Sequence, residues 1–381
     1  MANSVPRIVQ GGFSVDRGLD DHPVYFLTVG GVPIVVKGEA KGSVGHERTD
    51  QEAAISIKWG SKLMKNVNDR LVNTKLMDQS EVTAFLTVAK SKFKPLPTIP
   101  GAPPGPPPPN RYRNVTPQGA QQYTWVKMPA VAGLSDAEFT KKVGGFTTPV
   151  RGKVKEQIVK FTDESLWPQL GKVLAVDIFN GNSDRFDIAS GRWINYGNVM
   201  FIDQGSKVIG LDTFDPNTKQ SNLVAHGRFD ELKILTDTLK QKQFALACAT
   251  SVGETLEFDA FTKGQDYVTL PVEGPDGRVL WRVNRGEVKE LYTPFAPAMA
   301  AGIAKGANEL KAYLQRKVTQ YRQKALAQAP RRPLPPTPGR VRPRATGAPP
   351  PRPNAVRLHA APIPGMPQGI LDRMHYLGWL Q

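Results

Sequence analysis

Asp177-Ile178-Phe179-Asn180-Gly181-Asn182-Ser183-Asp184-Arg185 is the stretch on which the fold turns, and it is followed by Asn198 and by Phe201-Ile202-Asp203-Gln204-Gly205. The pattern is D-x4-N-x-D-R, then N, then D-x-G. It places a candidate base, Asp184, and two candidate metal ligands with oxygen donors, Asn198 and Asp203, in one short run. Just before it, Ser165 to Phe179 carries the helical period, with Pro168 in the first turn, where proline is tolerated. Leu166, Leu170, Val173 and Asp177 share one face, so Asp177 is expected to point inward at the helix end, and an inward carboxylate needs partners. The nearest are the backbone amides of the Asn180 to Ser183 turn and the Arg185 guanidinium. Asp177 is thus expected to organise the loop rather than act as its base. Just after it, Val199-Met200-Phe201-Ile202 and Val208-Ile209-Gly210-Leu211 read as short strands that present Asp203 at a turn.

Toward the N-terminus, Val24 to Val29 and Val32 to Val36 flank Gly30-Gly31, the signature of a hairpin, with Lys37 at the end of its second strand. Gly11-Gly12 forms a turn upstream. Glu47 to about Lys65 is a helix candidate with Ala53, Ala54, Ile57 and Leu63 as its apolar positions. Residues 95 to 110 (PLPTIPGAPPGPPPPN) can form neither helix nor interior strand and read as a surface insertion. Tyr123 to Met128 then reads as a strand.

Phosphoryl transfer from a nucleotide uses the inventory of the Asp177 to Gly205 region. With the elements around it, that region resembles the catalytic core of atypical kinases. The pattern is closest to the actin-fragmin kinase family and the secretory-pathway kinases, and more distantly similar to the phosphatidylinositol 3- and 4-kinases. The resemblance covers, with gaps, roughly residues 5 to 250, and the order of its elements carries more weight than any tetrapeptide. It implies an α+β, bilobal protein-kinase-like fold with ATP as cofactor and Mg2+ or Mn2+ as metal. Asp184 would be the catalytic Asp, with Asn182 and Arg185 beside it, and Asp203 the metal Asp. The metal-binding Asn falls on Asn198, with Asn195 as the alternative. Lys37 would reach the nucleotide phosphates, paired with Glu52 or with Glu47, and the Gly11-Gly12 amides would cover them. Met128 would line an adenine pocket. The chain departs from ordinary kinases in lacking H-R-D and in carrying Phe186 to Gly197 as an insertion.

The expected division is a first lobe over 1–128, a second over 129–329, a disordered Pro/Arg-rich tail over 330–367 and an apolar segment over 368–381. In the second lobe, helices are expected around Phe229 to Leu239, Phe244 to Thr250 and Pro297 to Gln328. A hairpin is expected from Val268 to Val283, turning at Pro275-Asp276-Gly277. The long helix has Ile303, Ala307, Leu310, Leu314, Val318 and Tyr321 on one stripe. The tail follows from composition, since the chain has 34 prolines and the tail itself almost no acids.

A net charge of +16 points to phosphate-rich partners. The tail could supply a polyanion contact, to nucleic acid or acidic lipid, and Arg332-Pro333-Leu334-Pro335-Pro336-Thr337-Pro338 also matches an SH3-type ligand. The single Cys248 excludes an internal disulfide and Cys-based zinc sites, and the five histidines have no metal spacing. There is no G-x-S-x-G elbow and no P-loop. Neither a basic start followed by an apolar run nor a stretch long enough to cross a bilayer is found, so a soluble, cytoplasmic protein is expected. Delivery into another cell by a route without a cleaved signal stays open. The acceptor expected from the resemblance is a protein hydroxyl. The alternatives are a phosphoinositide or small-molecule kinase, a kinase-fold AMP or glutamate transferase, and a non-catalytic pseudokinase that binds through its basic tail.

Overall fold

A computed structural model of the chain describes residues 5–20, 22–40, 59–60, 62–67, 74–95, 107–130, 134–135, 140–143, 146–149, 157–194, 199–202, 207–210, 229–261, 265–274, 277–328 and 361–380. They fall into two compact units, Met1–Leu310 and Lys311–Gln381.

In the first unit, β-branched and aromatic alternation builds β1 (Phe13–Gly18), β2 (Val24–Val29), β3 (Val32–Ala40), β4 (Lys75–Leu76) and β5 (Tyr123–Pro129). They join antiparallel in the order β1-β2-β3-β5-β4. The expected hairpin is present, and its turn uses positive φ at both Gly30 and Gly31, the geometry that matches strand twist. One difference matters below: β3 runs past Lys37 to Ala40, so the lysine is inside the strand.

One face of the sheet buries Tyr25, Leu27, Val29, Ile34, Val36 and Trp125. Against it packs α1 (Gln79–Phe93), a helix not among those expected, although Val82, Phe85, Leu86, Ala89 and Phe93 carry the helical spacing. Asp78 and Glu81 form a capping box at its start, and that D-x-x-E spacing is legible in the sequence. Phe85 closes an aromatic cluster at 5.2 Å from both Tyr25 and Trp125. Glu81 also takes the Ile8 amide at 2.9 Å and pairs with the buried Lys127 of β5, while Lys127 donates to the Pro6 carbonyl at 2.9 Å. One buried ion pair therefore ties the N-terminal segment, α1 and β5 together.

After the short strands β6 (Leu134–Ser135), β7 (Thr140–Val143) and β8 (Phe146–Pro149) comes α2 (Leu166–Asn180), buried over most of its surface. β9 (Val199–Ile202) and β10 (Lys207–Gly210) form the expected strand pair, with β6 added beside β9. Where two helices were expected between 229 and 250, single turns at Phe229–Leu232 and Lys233–Leu235 precede one continuous helix, α3 (Thr238–Ala260). Asp237 caps its start by accepting from the Leu239 and Lys240 amides, and nothing between Leu239 and Phe244 breaks a helix. β11 (Tyr267–Gly274) and β12 (Gly277–Asn284) pair in the expected register, and α4 (Ala296–Gln328) matches the expected long helix. α2 and α4 meet through glycine, because a Cβ on Gly171 or on Gly302 would come within 2.2 Å of a carbonyl of the other helix.

The expected helix from Glu47 is described only at 59–60 and 62–67, which are helical. Trp59, Leu63, Met64 and Val67 are buried there, and the segment lies beside α2, whose Lys172 reaches the Val67 carbonyl at 3.4 Å and the Glu309 carboxylate at 2.8 Å.

The second unit pairs the last turns of α4 with residues 361–380, including α5 (Gln368–Tyr376). Ile363, Met366, Ile370, Leu371, Met374 and Trp379 are buried, so the ordered segment starts before residue 368. Gln315 donates to the Trp379 carbonyl at 3.0 Å, and Gly365 lies against the Tyr321 ring. Among the described residues, no helix is long and apolar enough to cross a membrane.

Candidate functional site

α2 ends at Gly181, whose left-handed conformation (φ 73°) accepts no other residue type without strain. That turn sends the chain back over the helix end. The Asn182 amide donates to the Asp177 carbonyl at 2.9 Å, and the Asn182 side chain donates to the Asp177 carboxylate at 3.2 Å. Arg185 completes the centre with an ion pair to Asp177, the two side chains 0% and 1% exposed. Asp177 is the inward organiser expected, with Arg185 as one partner and the Asn182 side chain as another. Burial pushes its carboxyl above the usual range, opposed by Arg185 and Asn182.

The same network aims Asp184. Its backbone amide donates to Asn182 Oδ1 at 3.1 Å, and its side chain is exposed while Asn182 and Arg185 on either side are buried. Of the three expected catalytic residues, Asp184 alone meets solvent. Asn182 and Arg185 act on it from inside.

β10 is locked to this centre. A Cβ on Gly210 would stand 2.7 Å from the Arg185 guanidinium and 2.7 Å from Val173, so only glycine lets the strand lie on the ion pair. The Val208 amide donates to Gln169 of α2 at 3.1 Å. The link between Ile202 and Lys207, which contains Asp203, starts from strands held in this way. Asp203, Asn198 and Asn195 lie outside the described residues. Among the described residues, no group of three His, Cys, Asp or Glu side chains is placed to hold a metal.

Phe186 to Ile194, the described part of the expected insertion, is a small doubled-back loop. Phe186 stacks on Trp193 at 5.8 Å, and the Trp193 amide donates to Ser251 of α3 at 2.9 Å. Gly191 rests on the Ala247-Cys248 backbone, and the buried Cys248 thiol is pushed well above its usual range by desolvation.

On the first sheet, Lys37 and Met128 share the face away from α1. The register sets Lys37 against Val126 and Val35 against Met128, so the residues expected at the phosphates and at the adenine are neighbours. Glu52 and Glu47 lie outside the described residues. Glu39 meets Lys37 at 3.0 Å within the same strand. Period-two alternation marks Glu39 as a same-face neighbour once the strand is known to run on to Ala40. Gly11-Gly12 is elsewhere. Its Gly12 carbonyl accepts from Gly30 at 3.4 Å, at the sheet end that Val32 leaves, roughly 16 Å of strand from Lys37. The turn and the lysine are not brought together. The connection beside Lys37 is that between β1 and β2, where the Gly38 amide donates to the Pro23 carbonyl at 2.8 Å.

Comparison of the chain with protein-family models gave no match, and comparison with curated proteins gave none either.

Proposed function

We propose that the chain is an ATP-dependent phosphotransferase of atypical-kinase type that acts on a protein hydroxyl. The observation that carries it is Asp184, an exposed carboxylate whose backbone is held by a buried Asp177–Asn182–Arg185 network that also locks the β9–β10 pair. A base must be rigid and wet at its tip, and this arrangement supplies both. Asp184 orients the acceptor hydroxyl and takes its proton. Lys37, on the face it shares with Met128, holds phosphate oxygens.

Asn198, or Asn195, and Asp203 bring amide and carboxylate oxygens, the donors that Mg2+ or Mn2+ takes. Bound nucleotide and metal supply the transferable phosphoryl group and neutralise its charge. The protein acceptor rests on the resemblance to the actin-fragmin and secretory-pathway kinases. The Pro/Arg-rich stretch would serve as a salt-sensitive polyanion contact.

The test is incubation of the full chain with labelled ATP, free glutamate, Mg2+ or Mn2+ and a mixed set of protein acceptors, read by intact mass, beside a nucleotide-binding assay with and without metal. Added phosphate supports the proposal, while added AMP or glutamate assigns the same site to another transfer. Absence of any metal-dependent nucleotide binding leaves a non-catalytic protein.

A further inference from the structure

After Glu309 the chain holds thirteen Lys and Arg side chains and one acid, Asp372. That acid is 6% exposed and accepts from Gln368 of its own helix at 2.8 Å, so it offsets little of the surface charge. Part of this charge stands on a rigid element. Leu314 and Val318 of α4 are buried, and the other residues from Lys311 to Lys324 are Lys, Arg, Gln, Thr, Tyr and one Ala. Tyr313, Lys317, Gln320 and Lys324 follow one another at i, i+4, i+7 and i+11, which makes one stripe roughly 16 Å long. Lys317 donates to Gln320 Oε1 at 3.0 Å, and its ammonium stands 5.5 Å from the centre of the half-buried Tyr313 ring. Around the helix from that stripe, the exposed Arg316 borders a groove of about 660 Å3, lined also by Gln315, Thr319, Arg322, Trp379 and Leu380.

We propose that this face of α4 binds single-stranded nucleic acid, with Arg316, Lys317 and Lys324 on phosphates and with Tyr313 and the glutamines toward the bases. Cations on a fixed surface release the counterions of a phosphate chain, and a tyrosine ring and amides meet the base faces and edges that an unpaired strand leaves open. The groove admits a strand or a base and is too small for a duplex to enter. An anionic membrane is the weaker fit, because a helix lying on lipid inserts an apolar face, and Leu314 and Val318 of α4 are already covered. The surface is separate from the Pro/Arg-rich stretch, and it does not rest on the phosphotransferase function.

The test measures binding of the full chain to a labelled oligouridylate, to a duplex DNA of equal length and to phosphatidylserine-containing vesicles, each across a salt series. The same is done for the triple variant Arg316→Gln/Lys317→Gln/Lys324→Gln, for Tyr313→Leu, and for a chain in which a short linker replaces 330–360, alone and with the triple variant. All are checked for cooperative thermal unfolding. The triple variant should bind oligouridylate about tenfold more weakly or worse at low salt, and its slope of log affinity against log salt should shrink by about 2, since each phosphate contact on a single strand contributes about 0.7. Tyr313→Leu should weaken binding about fivefold or more with the slope unchanged, as expected of a stacking contact. The triple variant should lose as much in the chain without 330–360, because the helix face acts by itself. A triple variant that binds like its parent overturns the proposal, as does a chain without 330–360 that no longer binds oligouridylate. Tighter binding to duplex or to vesicles than to oligouridylate overturns it too and assigns the face to that partner. Should the deletion fail to fold, the change of slope in the full chain decides.

Discussion

Asp184 and Asp177 are seven positions apart in the chain and opposite in environment, and their substitutions should separate cleanly. Asp184→Asn removes an exposed carboxylate, so it should lower turnover roughly 100-fold or more while thermal unfolding and nucleotide affinity stay near wild type. Asp177→Asn leaves the buried Arg185 charge without its counter-ion and should cost roughly 3 kcal/mol or more in chemical denaturation. Equal kinetic damage with equal melting temperatures would contradict both roles. Gly210→Ala probes the same centre from β10. Its methyl would press on the guanidinium and on Val173, so a loss of roughly 1–3 kcal/mol is expected, and a neutral outcome would show that the strand is not seated on the ion pair.

The element that most shapes the first sheet is α1, and two measurements address how it is held. Lys127→Met leaves the Glu81 carboxylate buried without its cation, which should cost roughly 3–5 kcal/mol in urea unfolding. Further substitution of Glu81→Gln, which keeps an acceptor for the Ile8 amide, should recover part of that loss. The cap at the start of α1 is exposed and acts through pH. Ser80 and the Glu81 amide hold the Asp78 carboxyl below its ordinary value of 3.8. A lowered folded value means that its contribution is present above the unfolded value and is lost as pH falls through the folded one. Amide exchange in the first turn of α1 should therefore accelerate, relative to the rest of the helix, as pH drops below about 4, and Asp78→Asn should remove that pH dependence. An identical pH response in the variant would assign the effect to another group.

For the whole molecule, the C-terminal segment changes what a truncation should do. Composition marks 330–367 as a dispensable tail and sets the apolar segment after it apart, and residues 361–380 bury Leu371, Met374 and Trp379 in the second unit. Each such side chain contributes roughly 1.5–3 kcal/mol on burial. Truncation after Gln328 should thus expose Leu314 and Val318 and produce aggregation or a lost unfolding transition. Deletion of 330–360 alone should keep the segment's contribution if a short linker replaces the deleted residues. Equal behaviour of the two truncations in calorimetry and light scattering would show that the segment adds nothing to the fold.

The Gly30-Gly31 hairpin, the β5 strand, α2 with its inward Asp177 and the β9–β10 pair were all legible in the sequence, because each is set by local period and turn chemistry. So was the identity of Arg185 as the partner of Asp177, since a carboxylate at a buried helix end has few cations within reach. α1 was missed although it was legible: Asp78 and Glu81 announce its start and Val82, Phe85, Leu86, Ala89 and Phe93 its apolar face, while the sheet that buries that face is distant in sequence. That Glu39 meets Lys37 also depended on where β3 stops, which cross-strand pairing with β5 decides and no local residue marks. Gly11-Gly12 looked like a cover for phosphates only until the register set it at the far end of the sheet. Local sequence determined which residues bend, cap and point inward; long-range pairing and burial determined which of them meet, because those contacts are made by strands and helices that the chain brings together only on folding.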